Sequence, residues 1–139
     1  MEIYHLIKCS AISVFIFLAS CVASSPEEKV HNLINAINQV TKSIENNDPD
    51  VFITAMDKMQ KISDKFEQSD DATWLEEHRN EVEVEVLGRK LSFAMRDLDS
   101  AIMGLRTNRE FAKAFATDAR RLKWLRETAP GLANMWNLD

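Results

Sequence analysis

The sequence predicts an all-α fold: an up-down four-helix bundle with a long or bent third helix and an apolar C-terminal tail. Three observations predict it. Apolar residues recur at three- and four-residue steps along four successive stretches. A capping residue stands at the start of each stretch. Glycine and proline number only three each, all near proposed boundaries or bends, a poverty of turn residues that argues against an all-β fold.

The first helix is expected from Pro26 to about Asn46. Ser25 caps it, Pro26 takes the first helical position, and Glu28 completes a capping box. Val30, Leu33, Ile34, Ile37, Val40 and Ile44 form its apolar stripe, and Asn46-Asn47 ends it. Asp48-Pro49-Asp50 opens the second helix at once, supplying cap, first residue and an acid that suits the helix dipole. Its stripe is Phe52, Ala55, Met56, Met59, Ile62 and Phe66. So short a junction makes the two helices an antiparallel hairpin.

After the loop Ser69-Asp70-Asp71-Ala72, Thr73-Trp74-Leu75-Glu76 reads as a second capping box opening helix three. Residues 81–86 alternate Glu and Val strictly, which is a strand pattern. No other segment alternates, so a strand here lacks a partner, and Glu85 and Arg89 stand one helical turn apart; helix is the expectation. Leu87, Leu91, Ala94, Leu98, Ile102 and Leu105 make the later stripe. An earlier one of Leu75, His78, Val82 and Val86 is out of phase with it, which calls for a bend or a change of partner near Gly88. Thr107 is the expected cap of helix four, which buries Phe111, Ala114, Phe115, Ala119, Leu122 and Leu125 and runs to about Thr128. Pro130-Gly131 stops it. The tail holds Leu132, Met135, Trp136 and Leu138, too many large apolar groups to float free; it either packs on the bundle or docks into a partner, with packing favoured.

Residues 1–20 read as a signal peptide, 21–25 as a short tether and 26–139 as the helical domain. Met1 to Lys8 is weakly positive, and Ala11–Ser20 is an apolar run too short to span a bilayer. No later segment approaches 18 apolar residues in a row. Leu18-Ala19-Ser20-Cys21, closing that run, resembles a bacterial lipobox, the cleavage motif of bacterial lipoproteins. The resemblance implies that the Cys21 thiol carries lipid, palmitate among its acyl chains, and becomes the new N-terminus. Three chains imply stable anchoring, since one chain alone binds only marginally. Val22 in place of Asp after the cysteine implies the outer membrane, with the domain facing the periplasm. Two other readings compete: cleavage after Ala23, or an uncleaved anchor. The agreement of signal pattern and cysteine position favours lipidation.

Cys9 falls inside the leader, so disulfides do not stabilise the mature domain. Only Val22, Ala23 and Ser24 separate Cys21 from the first helix signal, and four extended steps reach about 14 Å, so the folded part is expected against the membrane.

Charge is uneven. Residues 21–88 hold 6 Lys/Arg and 15 Asp/Glu, a balance of −9, while residues 89–139 hold 10 and 6, a balance of +4. Either the halves pack together, or the basic half faces an acidic partner such as lipid headgroups, lipopolysaccharide or an acidic protein. Most charge runs are solvated faces, which favours the internal reading.

Chemistry finds little support. Glu28-x-x-His31 is half of a di-iron motif, but Leu75 stands where His78 needs a Glu, and Glu28 is explained by capping. Met56 and Met59 fill a core more simply than they bind haem or copper. No serine sits in a nucleophile elbow and no glycine-rich loop is present. Overall acidity and an envelope location argue against nucleic acid, although Arg120, Arg121, Lys123 and Arg126 cluster beside Trp124.

The expectation is a membrane-anchored, non-catalytic protein-binding factor of the cell envelope, with no cofactor or metal, serving assembly, inhibition or exclusion. The expected partner surface is Arg120, Arg121, Lys123, Trp124, Met135 and Trp136. The alternative is a periplasmic carrier holding a small ligand or metal inside the bundle.

Overall fold

The computed structural model describes residues 24–139; the expected signal peptide (1–20) and Cys21, the lipidation candidate, lie outside the described residues. The described chain is all-helical, with no strand. Its helices are α1 (Pro26–Glu45), α2 (Pro49–Glu67), α3 (Asp71–Glu77), α4 (Val82–Leu105), α5 (Arg109–Ala116), α6 (Ala119–Thr128) and α7 (Pro130–Met135).

The first hairpin follows its capping chemistry. The Ser25 hydroxyl accepts the Glu28 amide at 3.2 Å and the Asp48 carboxylate accepts the Val51 amide at 3.1 Å. Pro26 and Pro49 occupy first helical positions, where the missing N–H costs nothing. Asn47 takes a left-handed φ of 54° between the helices, a conformation asparagine tolerates. α1 is the central element, packed along α2 on one side and α4 on the other. Val30, Ile37, Val40 and Ile44 are buried within it. Two polar residues share that core without orphaned atoms: Thr41 donates to the Ile37 carbonyl and Ser43 to that of Val40.

Both later stripes are broken where the sequence predicts continuous helices. The third divides at residues 78–81, ahead of Gly88, which lies inside α4. Its start also differs. α3 begins at Asp71, with Asp70 rather than Thr73 in the capping position, and Asp71 is turned inward to accept Lys29 Nζ at 2.9 Å and the Ser69 hydroxyl. At the break, His78 stacks on Trp74 with centroids 4.5 Å apart, and its Nδ1 lies 2.8 Å from the Trp74 carbonyl. The interruption re-phases the helix. Val84 and Leu87 become buried, while Val82 and Val86, expected on the inner stripe, face solvent at 75% and 46% exposure. The alternating segment is helical, as expected, and Glu83 and Glu85 sit in its first turn, where the dipole favours acids.

The fourth stretch divides at Thr117-Asp118. Asn108, not Thr107, caps α5, accepting the Phe111 amide at 3.0 Å; the Thr107 hydroxyl donates back to the Gly104 carbonyl. Asp118 accepts the Arg121 amide at 3.0 Å and starts α6 afresh, which leaves Ala119, expected inside, on the surface. Pro130 does more than stop a helix: it begins α7.

The three C-terminal helices cap one end of the α1–α2–α4 layer. Asn108 Nδ2 donates to Asn47 Oδ1 at 3.1 Å and Asn47 Nδ2 to Glu110 Oε2 at 3.3 Å, fixing the cap beside the α1–α2 turn. Phe52, Phe111 and Phe115 meet there, with Phe52 edge-on to both other rings at 5.3 and 6.1 Å. α1 is 20 residues long. The aromatic cap therefore stands about 30 Å from the end where the chain enters.

Candidate functional site

The six residues expected to form a partner surface sit in the cap, and the structure divides them. Trp124 is half-buried. Its indole N–H donates to Asp57 Oδ1 at 2.9 Å, and its ring stands 6.0 Å from Phe52. Trp136 is likewise half-buried, 5.7 Å from Phe115, and donates through Nε1 to the Leu105 carbonyl at 2.9 Å. That carbonyl ends α4 and also accepts the Asn108 amide at 3.1 Å, so the tail tryptophan is a second donor at a helix terminus. Met135 packs beside it against the core. Of the two readings of the tail, packing is the one observed. Ala133 is buried, and Arg126 holds the Leu138 carbonyl at 2.7 Å and the Asp139 carbonyl at 3.3 Å.

Arg121 is turned inward. It grips both oxygens of Asp50 and also donates to the Ala114 carbonyl at 3.2 Å. Arg120 reaches the same carboxylate at 2.8 Å while remaining exposed. Lys123 is exposed and only loosely paired with Glu127, at 3.9 Å. Exposed positive charge on α6 therefore rests on Arg120, Lys123 and Arg126. The Asp50 pairs join the acidic and basic halves of the chain.

Three carboxyl groups are held below their ordinary range. Asp50 is lowered by the hydrogen bond from Arg121, reinforced by the charges of Arg121 and Arg120. Asp71 is lowered by the Ser69 hydroxyl and then by Lys29. Asp118 is lowered by the backbone amides it caps and by the same two arginines. All three serve structure: a cap, a tie between halves, a tie between α1 and α3.

A different surface was hidden from sequence reasoning. Six large apolar side chains are exposed among the described residues, and five lie on α4; Val82, Val86 and Phe93 share one outer face, whereas Met95 and Met103 lie off it. The Arg96 guanidinium lies 4.9 Å from the Phe93 ring centroid, over one edge of this strip. The signal was present in the Val82-Glu83-Val84-Glu85-Val86 alternation, because a helix cannot turn all three valines to one face.

Among the described residues no three His, Cys, Asp or Glu side chains gather to hold a metal ion. Glu28 lies in the first turn of α1, His31 is exposed, and Met56 and Met59 pack against the core. No helix of the described residues is long and apolar enough to cross a membrane.

The chain matches no known protein family, no curated protein and no solved structure.

Proposed function

We propose that this chain is a lipid-anchored, non-catalytic binding protein of a bacterial envelope. Acylated at Cys21 and held to the periplasmic face of the outer membrane, it engages an envelope protein through the outer face of α4. The observation that carries the reading is that Val82, Val86 and Phe93 stand exposed together on the outer face of α4. An α-helix apolar on two sides seeks two partners; α1 takes the inner stripe of α4, and the outer stripe remains for another molecule.

In this reading α1, α2 and α4 are three runs of an up-down bundle, and α5, α6, α7 and the tail close its end in place of a full-length fourth run. The lipobox-like Leu18-Ala19-Ser20-Cys21 supports the anchor, and the shortness of residues 22–24 supports a domain held close to the bilayer.

Photo-crosslinking in intact cells tests it. A crosslinker at position 93 is expected to trap a discrete protein adduct, and one at His31 to trap none. Equal trapping at both positions, or none at position 93, overturns the partner face. Mass spectrometry of the mature N-terminal peptide tests the anchor: a diacylglyceryl adduct on Cys21 is expected, and a free thiol or a retained leader overturns it.

A further inference from the structure

We infer that the groove between the first half of α1 and the second half of α2 seats the headgroup of an anionic phospholipid. The groove has a volume of about 660 Å³. Its wall on α1 is a row of amides, Asn32, Asn35 and Gln39, and α2 contributes Lys58 and Lys65 over an apolar floor of Ile62 and Phe66. Residues 21–88 carry a balance of −9, yet the groove inverts that sign locally.

The inversion comes from where the carboxylates point. Asp71, at the groove's edge, is taken by Lys29 and Ser69. On α2, Asp57 accepts the Trp124 indole at 2.9 Å and Asp64 accepts Gln60 Nε2 at 2.7 Å. Among the described residues neither Lys58 nor Lys65 is ion-paired; Lys58 only reaches Gln39 Oε1, at 3.5 Å. Two unmatched ammonium groups and a row of amide donors fit a phosphodiester, and the apolar floor fits the glycerol and first methylenes beneath it.

Position selects a lipid over a free anion. Ser24 lines the groove, three residues after Cys21. Three extended residues span about 11 Å, so an acylated Cys21 brings the lower end of the groove, at Ser24, Asn32 and Lys65, within reach of the headgroups. This last step rests on the anchoring proposed above; the charge and shape of the groove do not.

The test uses the full-length protein purified from membranes in neutral detergent. Short-chain phosphatidylglycerol, phosphatidylcholine, inorganic phosphate and a glutamate-rich peptide are titrated separately while backbone amide resonances are followed. Phosphatidylglycerol is expected to saturate, shifting amides of residues 29–39 and 58–66, with the other three at least tenfold weaker. The Lys58→Glu/Lys65→Glu variant is expected to weaken binding at least tenfold with helicity unchanged. Lys58→Gln/Lys65→Gln replaces it if the charge reversal perturbs folding. Equal response to phosphatidylcholine or phosphate, preference for the peptide, or unaltered binding by the lysine variant overturns the inference. The mass of the Cys21 peptide from the same preparation separates the two proposals. A free thiol beside selective lipid binding removes the anchor and leaves the groove, whereas an acylated Cys21 without binding does the reverse.

Discussion

Arg121 donates to both oxygens of Asp50, from Nε at 3.1 Å and from Nη2 at 2.7 Å, across 71 residues of chain. This fork ties α6 to the first turn of α2 and so joins the acidic half of the molecule to the basic half. Exposure limits its strength: Asp50 is half exposed, so water and salt screen the pair. A double-mutant cycle of Asp50→Ala and Arg121→Ala, followed by urea unfolding, is expected to give a small favourable coupling that shrinks as salt is added. Arg121→Lys keeps the charge but not the planar fork, and is expected to lose most of the coupling.

Acid should loosen the same contacts. Asp50, Asp71 and Asp118 all have folded pKa values below their ordinary value. Their contribution is therefore fully present above the unfolded value, about 3.9, and is lost as pH falls through the lower folded values. The thermal midpoint is expected to change little through these groups between pH 7 and 5 and to drop steeply below pH 4. Asp50→Asn is expected to flatten part of that drop.

The tail belongs to the core, so its removal should be felt throughout the cap. Trp136→Ala is expected to cost about 3 kcal/mol in urea unfolding, near the lower bound for large aromatic truncations because the ring is only half-buried. Trp136→Phe keeps most of the ring packing and removes one of two donors to the Leu105 carbonyl, the Asn108 amide remaining at 3.1 Å, and is expected to cost less than about 1 kcal/mol. If deleting residues 130–139 left the unfolding midpoint unchanged, the packed tail would be refuted.

Phe52 is fully buried and meets Phe111, Phe115 and Trp124 edge-on. Phe52→Ala opens a cavity among three rings and is expected to destabilise the domain by about 3–5 kcal/mol. Circular dichroism during urea unfolding checks this, and a loss below 1 kcal/mol would mean that the cap does not pack around this ring.

Phase along α4 can be read from two neighbours. Val84 is 4% exposed and Phe93 is 54% exposed. Val84→Asp buries a carboxylate without a partner and is expected to unfold the domain or cost several kcal/mol. Phe93→Ser is expected to shift stability by less than about 0.5 kcal/mol while removing the crosslinked adduct.

Local chemistry wrote much of this fold into the sequence. Ser25-Pro26 and Asp48-Pro49 set the starts of α1 and α2, because a cap and a proline act within one helical turn. Helical class and the inner stripes of α1 and α2 follow from periodicity alone. The out-of-phase stripes called for an irregularity in the third stretch but set it near Gly88; its place at 78–81, and the break at 117–118, were not legible. The inward turn of Asp71 toward Lys29, 42 residues away, depends on neighbours that the sequence does not order in space. Of the candidate site, Arg120 and Lys123 were visible as exposed charges. That Trp124 and Trp136 spend their N–H groups inside the protein was not, because Asp57 lies 67 residues from Trp124, and Leu105 lies 31 from Trp136.

The sequence by itself determined the helical class, the caps of α1 and α2 and the charge imbalance, since each depends on composition or on residues within a few positions of one another. Only tertiary structure decided which sides of those helices are covered. Burial is a property of pairs of elements, and the phase of α4 against α1 left Val82, Val86 and Phe93 facing water.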